Sequence, residues 1–379
     1  MGRKILIVSG LQIFPPESGG QIRTASIAEG LAEAQNCVKI YSFTGRKKEY
    51  ISRKSSSKEF ISHNIFEYIC RNPIFGIIQA IFYFLKIPPV WLTLMTSIYI
   101  PKELELLLKD ADEVLVDFPY LYHVGVNSGR RYILNTHNVE SQLYARRGII
   151  GKFSEMLIKR IEHNAMKTAA SILFCTDADK NYFQQRCDFI AAKTTVLPNG
   201  INLEKIEKSL IAHNKNVVRN KLGIDASTLL ILFSGSNYFA NTEAFEFIRE
   251  FCEEQSALLR DLKIKFLIVG TVAEKAINTE FYCSTSKVED VHHYYSACDA
   301  AINPIISGSG SNIKMCEYLA FSLPIFTTFF GARGFNLHEG VSCFYFDYYN
   351  LDKVLYDTFK VNASHQFYSI AQQALNDNL

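Results

Sequence analysis

No two of the nine cysteines in this 379-residue chain lie within four residues of one another, so the Cys-x-x-Cys spacing of a zinc or redox site is missing. Cysteines scattered in this way are expected as reduced core residues of a cytoplasmic protein. No apolar run reaches the roughly 20 uninterrupted residues that a bilayer span requires. The most apolar stretch, residues 73–100, is broken by Lys86, Pro88 and Pro89. The opening run Ile5-Leu6-Ile7-Val8 is too short for a signal peptide and reads as a buried first strand. That strand is followed by Ser9-Gly10-Leu11-Gln12-Ile13-Phe14-Pro15 and not by a Gly-x-Gly-x-x-Gly turn, which argues against a nicotinamide-dependent dehydrogenase. Internal repeats and low-complexity segments are also lacking.

What is present describes a folded protein: 48% of residues are hydrophobic and 21% charged. The length exceeds a usual single core and implies two domains. The net charge of +2 is unevenly spread. Positions 1–200 hold 25 basic against 18 acidic residues, and the remainder holds 15 against 20. A basic half beside an acidic half suggests that one domain meets an anionic surface.

Short apolar runs alternate with longer amphipathic stretches, the pattern of a parallel sheet covered by helices on both faces. Strands are expected at 5–8, 38–41, 113–116, 132–135 and 171–174, and helices at 21–33 and 153–168. The pattern restarts after the turn tripeptide Pro198-Asn199-Gly200, with strands at 229–233, 265–269, 300–303 and 324–327. The expected fold is therefore α/β, with two Rossmann-like doubly wound parallel sheets. Residues 1–190 form the first domain and 191–360 the second.

Residues 46–100 open with Arg46, Lys47, Lys48, Arg53, Lys54 and Lys58, then turn apolar from Pro73. Two readings stand: ordinary core helices, or a monotopic membrane patch with Phe75, Phe82, Tyr83 and Trp91 at the interface. The basic run has no accompanying nucleic-acid motif, so nucleic acid is not an expected partner.

The segment richest in chemistry begins at Asn303. A strand ends near Pro304, and the Gly-Ser loop Gly308-Ser309-Gly310-Ser311-Asn312 leads into a helix expected to begin near Ser311. Unpaired N–H groups at such a start form an anion site, and Gly308 and Gly310 admit close backbone approach to a diphosphate. Lys314 adds charge in the first turn. Glu317, one turn later, is placed to accept hydrogen bonds from ribose hydroxyls.

The string from Gly308 through Lys314-x-x-Glu317-x-x-Ala320 to Pro324 resembles the donor-site motif of retaining GT-B-fold glycosyltransferases, specifically family four of that classification. The resemblance covers nearly the whole chain. Gly19, Gly20 and Arg23 look like the family's first glycine-rich loop, which would face acceptor or cleft. Arg23 is expected as a helix-surface arginine, with binding of an acceptor phosphate as the alternative. His137, in Asn135-Thr136-His137-Asn138-Val139-Glu140, matches the family's histidine near the reacting sugar. Val196-Leu197-Pro198-Asn199-Gly200-Ile201 matches the hinge into the donor domain. Gly235, Ser236 and Asn237, with Tyr238 and Asn241, resemble the first donor-domain strand and loop.

The chain also departs from the pattern. Many members carry a Glu-x7-Glu pair, and here Ser309 replaces the first glutamate while Glu317 keeps the second. Many members follow the glycine equivalent to Gly235 with an arginine and a lysine, which Ser236, Asn237 and Tyr238 do not supply. Lys314 and Arg333 would then carry the charge.

The resemblance implies two domains facing across a cleft, with residues 361–379 as a helix packing back on the first. It implies transfer of a hexosyl group from a nucleoside diphosphate sugar to a glycan or lipid-linked acceptor, with retention at the anomeric carbon. His137 would be the catalytic group, orienting sugar or acceptor. No cofactor and no metal are expected, because Asp110-Ala111-Asp112 and Asp177-Ala178-Asp179 both read as structural. The expected place is the cytoplasm, at the inner face of an anionic membrane, in cell-surface polysaccharide or lipid-linked glycan synthesis. A sugar-nucleotide epimerase and a non-catalytic sugar-nucleotide-binding paralogue remain as alternatives.

Overall fold

The computed structural model describes residues 2–16, 18–44, 57–62, 64–70, 72–85, 87–145, 148–187, 193–201, 215–308 and 312–361. The expected helix at 361–379 and most of the basic run at 46–58 lie outside these residues. The chain divides into two compact units, one built on residues 1–199 and the other on 200–308 and 312–379.

The first unit carries an eight-stranded sheet: β1 (Lys4–Ser9), β2 (Cys37–Ser42), β3 (Ser57–Ser62), β4 (Ile65–Ile69), β5 (Glu113–Asp117), β6 (Tyr132–Asn135), β7 (Ser171–Phe174) and β8 (Lys193–Val196). Its order is β3-β4-β2-β1-β5-β6-β7-β8. All pairs are parallel except the edge hairpin β3–β4, which is antiparallel. The central strands are apolar on both faces because helices cover both: Ile7, Val8, Val114, Val116 and Leu134 are all buried. Chain direction along the sheet reverses between β1 and β5. Their carboxyl ends therefore diverge into loops that leave a crevice, the usual ligand position in such sheets.

The second unit repeats the plan with β9 (Leu229–Ser234), β10 (Ile264–Val269), β11 (Ile277–Asn278), β12 (Tyr282–Ser284), β13 (Ala300–Asn303), β14 (Ile325–Thr327) and β15 (Phe344–Tyr345). The order is β11-β12-β10-β9-β13-β14-β15, with the switch between β9 and β13. Two layers of buried residues sandwich this sheet, one around Phe233, Phe266 and Phe326, the other around Leu232, Leu267 and Tyr318.

One expectation about a surface residue is corrected, and of the two readings of residues 73–100 that of core helices describes Phe75, Phe82 and Trp91. Arg23 lies on the buried face of helix Gly19–Glu33, with Thr24, Ala25, Ala28 and Ala32. Phe75 and Trp91 are core residues with ring centroids 6.0 Å apart, and Phe82 packs against the same core. The side chain of Tyr83 lies outside the described residues. Apolar aromatics flanked by a hydrophobic core gain more from burial than from exposure.

Candidate active site

In the first unit the site is assembled at the β1–β5 switch. Asp117 ends β5, is fully buried, and receives four donors. Ser9 Oγ at the end of β1 donates at 3.3 Å and Thr24 Oγ1 at 3.0 Å to Oδ2. Asn135 Nδ2, at the end of β6, donates at 2.8 Å to Oδ1, and His137 Nε2 at 2.6 Å to the same atom. A buried carboxylate needs this degree of satisfaction, and each donor is fixed in return. With Nε2 turned to Asp117, Nδ1 is the ring nitrogen on the opposite side of the imidazole. Nδ1 is buried with no hydrogen-bond partner.

The His137 ring stacks on Phe118 at 4.0 Å between centroids and 8° between planes. Phe118 holds a left-handed backbone (φ 72°), a costly conformation for an aromatic residue. On the other side a Cβ placed on Gly20 would stand 3.4 Å from Nδ1, so the glycine keeps that nitrogen uncovered. Gly19 and Gly20 open helix Gly19–Glu33, whose start is closed by a capping box between Ser18 and Gln21.

Arg23 braces the same cluster from inside. Its Nε donates to Asn135 Oδ1 (3.2 Å), and Nη1 donates to Leu197 O (2.7 Å) and Asn199 Oδ1 (3.0 Å). Accepting from Arg23 fixes which way the Asn135 amide points and so turns its NH2 toward Asp117. Nη2 of Arg23 is buried without a partner.

In the second unit the corresponding switch brings together the end of β9, the end of β13 and helix Ile313–Ala320. The helix begins two residues later than expected, with Asn312 as its N-cap. The Asn312 side chain does not close the helix start. Its Nδ2 donates to Gly331 O at 3.0 Å. Ser309, Gly310 and Ser311 lie outside the described residues. Gly308 has φ 117°, a backbone closed to side-chain-bearing residues, and a Cβ there would stand 3.8 Å from Arg333 and 3.9 Å from Ala240.

Lys314 does not pair with Glu317 as a surface ion pair. Its ammonium donates to Asn241 Oδ1 at 2.7 Å and lies 4.3 Å from the centre of the Phe233 ring. Burial lowers its pKa to about 7, against the weaker opposing charge of Glu317. Glu317 Oε2 accepts from Tyr295 Oη at 2.7 Å, and His292 Nε2 stands 3.8 Å from Oε1. Tyr295 Oη also lies 2.7 Å from Ser234 Oγ, and Ser234 N donates to Tyr318 Oη at 2.9 Å.

The loop after β9 is held by its own backbone. Gly235 N donates to Val269 O at 2.9 Å, Asn237 N donates to Thr271 Oγ1 at 3.0 Å, and Asn241 Nδ2 donates to Ser236 O at 3.0 Å.

Sequence reasoning missed Asp117, Tyr295 and Glu67. Glu67 is buried in β4 and accepts from Ile13 N (2.6 Å), Phe14 N (3.0 Å) and Ser42 Oγ (2.8 Å), fixing the loop that leads to Gly19. A lone acid inside an apolar strand was the available signal, since such a residue needs buried donors. The Asp-Ala-Asp triplets have other work. Asp110 bridges Lys4 and Lys39, which together hold its pKa down at about 2, and Asp177 and Asp179 open helix Asp177–Gln184 behind the Thr176 cap.

Two doubly wound units, each with polar side chains gathered at its switch point, define the architecture of a GT-B glycosyltransferase. Comparison with known proteins agrees with this assignment. Glycosyltransferase Family 4 matches residues 18–205, and Glycosyl transferases group 1 matches residues 228–353. The chain belongs to this glycosyltransferase family. No curated protein matches significantly by sequence.

Solved structures share the fold over nearly the full length. A sucrose-phosphate synthase from Thermosynechococcus elongatus has TM-score 0.67 at 13% identity, covering 99% of this chain and 94% of that one. An α,α-trehalose-phosphate synthase (UDP-forming) from Burkholderia vietnamiensis gives 0.66 at 11%, covering 99% and 95%. HepE from Anabaena, solved in complex with UDP, gives 0.63 at 12%, covering 98% and 94%.

Proposed function

We propose that this glycosyltransferase moves a hexosyl group from a nucleoside diphosphate sugar to an acceptor hydroxyl with retention, in cell-surface polysaccharide or lipid-linked glycan synthesis on the cytoplasmic side of a membrane. The observation that carries the donor assignment is Glu317. It is a carboxylate one turn inside a helix whose first amides are uncapped, held by Tyr295 and three residues from a buried lysine. Acceptor oxygens at that spot suit ribose hydroxyls, while the amides and Lys314 suit a diphosphate. UDP in HepE, and the UDP-forming reaction of the trehalose-phosphate synthase, support a uridine nucleotide.

In the reaction, the bond between the anomeric carbon and the β-phosphate oxygen breaks. The acceptor oxygen bonds that carbon from the same face, and its proton passes to the departing phosphate oxygen. Negative charge grows on the diphosphate, so donors already aimed there lower the barrier, typically by roughly 3–4 kcal/mol for each. Gly308, Ser309, Gly310, Ser311 and Lys314 are assigned this role, and countercharge from them makes a divalent ion unnecessary. His137 presents Nδ1 as an acceptor to a sugar hydroxyl and positions it.

The test is incubation with a panel of nucleoside diphosphate sugars, following nucleotide release and anomeric proton signals by NMR. Release of nucleotide with an α-linked product from an α-linked donor is expected, unchanged by EDTA. Glu317→Ala should raise the donor KM by about tenfold to a hundredfold, the loss of hydrogen bonds to a charged group. Interconversion of the sugar without nucleotide release would mean an epimerase, and no turnover with tight binding a non-catalytic paralogue.

A further inference from the structure

Behind the His137 loop the first unit buries two carboxyl groups that the transfer step does not use. Glu140 opens helix Glu140–Ala145 and is 4% exposed. Glu162, on helix Gly148–Thr168, is 2% exposed. The two helices pack on each other. Ser141 N donates to Glu162 Oε1 at 3.2 Å, which seats the Glu162 carboxyl group against the peptide that follows Glu140.

The surroundings supply hydrogen bonds but no cation. Tyr120 Oη donates to Glu140 Oε2 at 3.2 Å, and Asn138 Nδ2 donates to Oε1 at 3.1 Å. The other titratable groups within reach are Tyr120, Tyr144 and His137. Helix Tyr122–Asn127, which also packs on Gly148–Thr168, adds Tyr122 and His123, whose rings contact each other. Among the described residues no lysine or arginine pairs with either acid. Ser141 Oγ is fully buried and finds no partner of hydrogen-bond geometry. Two like charges in one buried space oppose each other, so such a pair keeps a proton that an exposed acid would release. Burial pushes the Glu162 carboxyl up to about 8, and the charge of Glu140 adds to the rise.

The pair touches both walls of the His137 site. Asn138 follows His137 in the chain. Tyr120 lies two residues after Phe118, whose ring stacks on the imidazole at 4.0 Å. Glu140 bonds to both, so its carboxyl group ties the loop that carries His137 to the turn that carries Phe118.

We infer that Glu140 and Glu162 hold a shared proton at neutral pH, and that its loss at higher pH loosens the Phe118–His137 stack and slows transfer. Both acids are positioning residues, acting through Asn138 and Tyr120. The effect on transfer rests on the glycosyl-transfer reading; the proton and the loop do not.

The sign follows from linkage. Glutamate in the unfolded chain titrates near 4.5, and Glu162 in the folded chain near 8. Between these values the folded chain keeps a proton that the unfolded chain gives up. Stability from this source therefore falls as pH rises from about 4.5 to about 8 and is level above that.

The test has three readouts on the full chain, each with wild type beside Glu162→Gln and Glu140→Gln. Infrared difference spectra between about pH 6 and about pH 9 should show wild type losing the carbonyl stretch of a protonated carboxyl group, a signal missing from Glu162→Gln. Hydrogen exchange over residues 135–140, corrected for the intrinsic rate, should show wild-type protection falling roughly tenfold over the same range. Both variants remove the like-charge opposition and should hold that protection, so misfolding of one leaves the other to decide. At saturating donor, wild-type kcat should fall with the protection, and the variants should lose less. No protonated-carboxyl signal in wild type, an equal one in Glu162→Gln, or the same loss of protection in all three proteins overturns the proposal. So does a kcat that stays level while the signal disappears. The expected infrared and exchange results without nucleotide release from any donor defeat only the transferase reading.

Discussion

Asp117 decides what His137 can do. Nε2 donates a hydrogen bond to Asp117 Oδ1 at 2.6 Å, which fixes the ring's orientation and turns Nδ1 toward Gly20. Asp117→Asn keeps the shape but weakens that preference, so the ring can turn a donor toward the substrate. The expected loss in kcat is on the order of a hundredfold with the donor Kd unchanged. His137→Ala should lose about as much, and the double variant should lose little more than either, because the two act as a unit. Additive losses would mean that Asp117 serves only the fold.

Lys314 gives the second residue-scale expectation. Its pKa is lowered from 10.5 to about 7 because burial disfavours the ammonium. Above pH 7 the free protein therefore holds a largely neutral amine, and a diphosphate beside it favours the charged form. Donor binding should take up on the order of one proton, and apparent affinity should fall as pH rises above about 7. Titration calorimetry in buffers of different ionisation enthalpy reads the uptake, which Lys314→Met should abolish. Equal uptake by the variant would assign the proton elsewhere.

At the scale of elements, the loop between β1 and helix Gly19–Glu33 depends on Glu67. Glu67→Ala would leave the Ile13 and Phe14 amides without their buried acceptor, at a cost of about 2–5 kcal/mol. The urea midpoint should drop accordingly, and catalysis should fall with it because the loop sets Gly19 and Gly20. An unchanged midpoint would show that water reaches these amides.

The same loop shows where sequence reading stops. Strands β6, β7 and β13 match the apolar runs residue for residue, since a buried parallel strand is apolar whatever its neighbours are. Strands β3, β11 and β15 escaped it: they are edge strands, some only two residues long, and pairing with a neighbour defines them more than composition does. The donor motif around Lys314 and Glu317 was legible because its residues lie on one helix. Arg23 was read as a surface residue because its partners Asn135, Leu197 and Asn199 are 112 to 176 positions away. Asp117 and Glu67 were hidden for the same reason, each being meaningful only against donors from other strands.

On the scale of the whole molecule, each unit has its own buried layers, and the Lys314–Glu317 cluster lies wholly in the second. Units with separate cores need not unfold together, so calorimetry should resolve two transitions. A ligand that binds only the native second unit raises only that unit's transition. At a hundred times its Kd the nucleotide contributes about 2.7 kcal/mol. For a unit of this size that moves a midpoint by about 5–10 °C. UDP should therefore shift one transition by that amount and leave the other in place, and Glu317→Ala should remove most of the shift. Movement of the first unit's transition alone would put the nucleotide beside His137 and detach Glu317 from the donor. Equal movement of both would mean that the nucleotide couples the two units, and the donor contacts would then have to be sought in each.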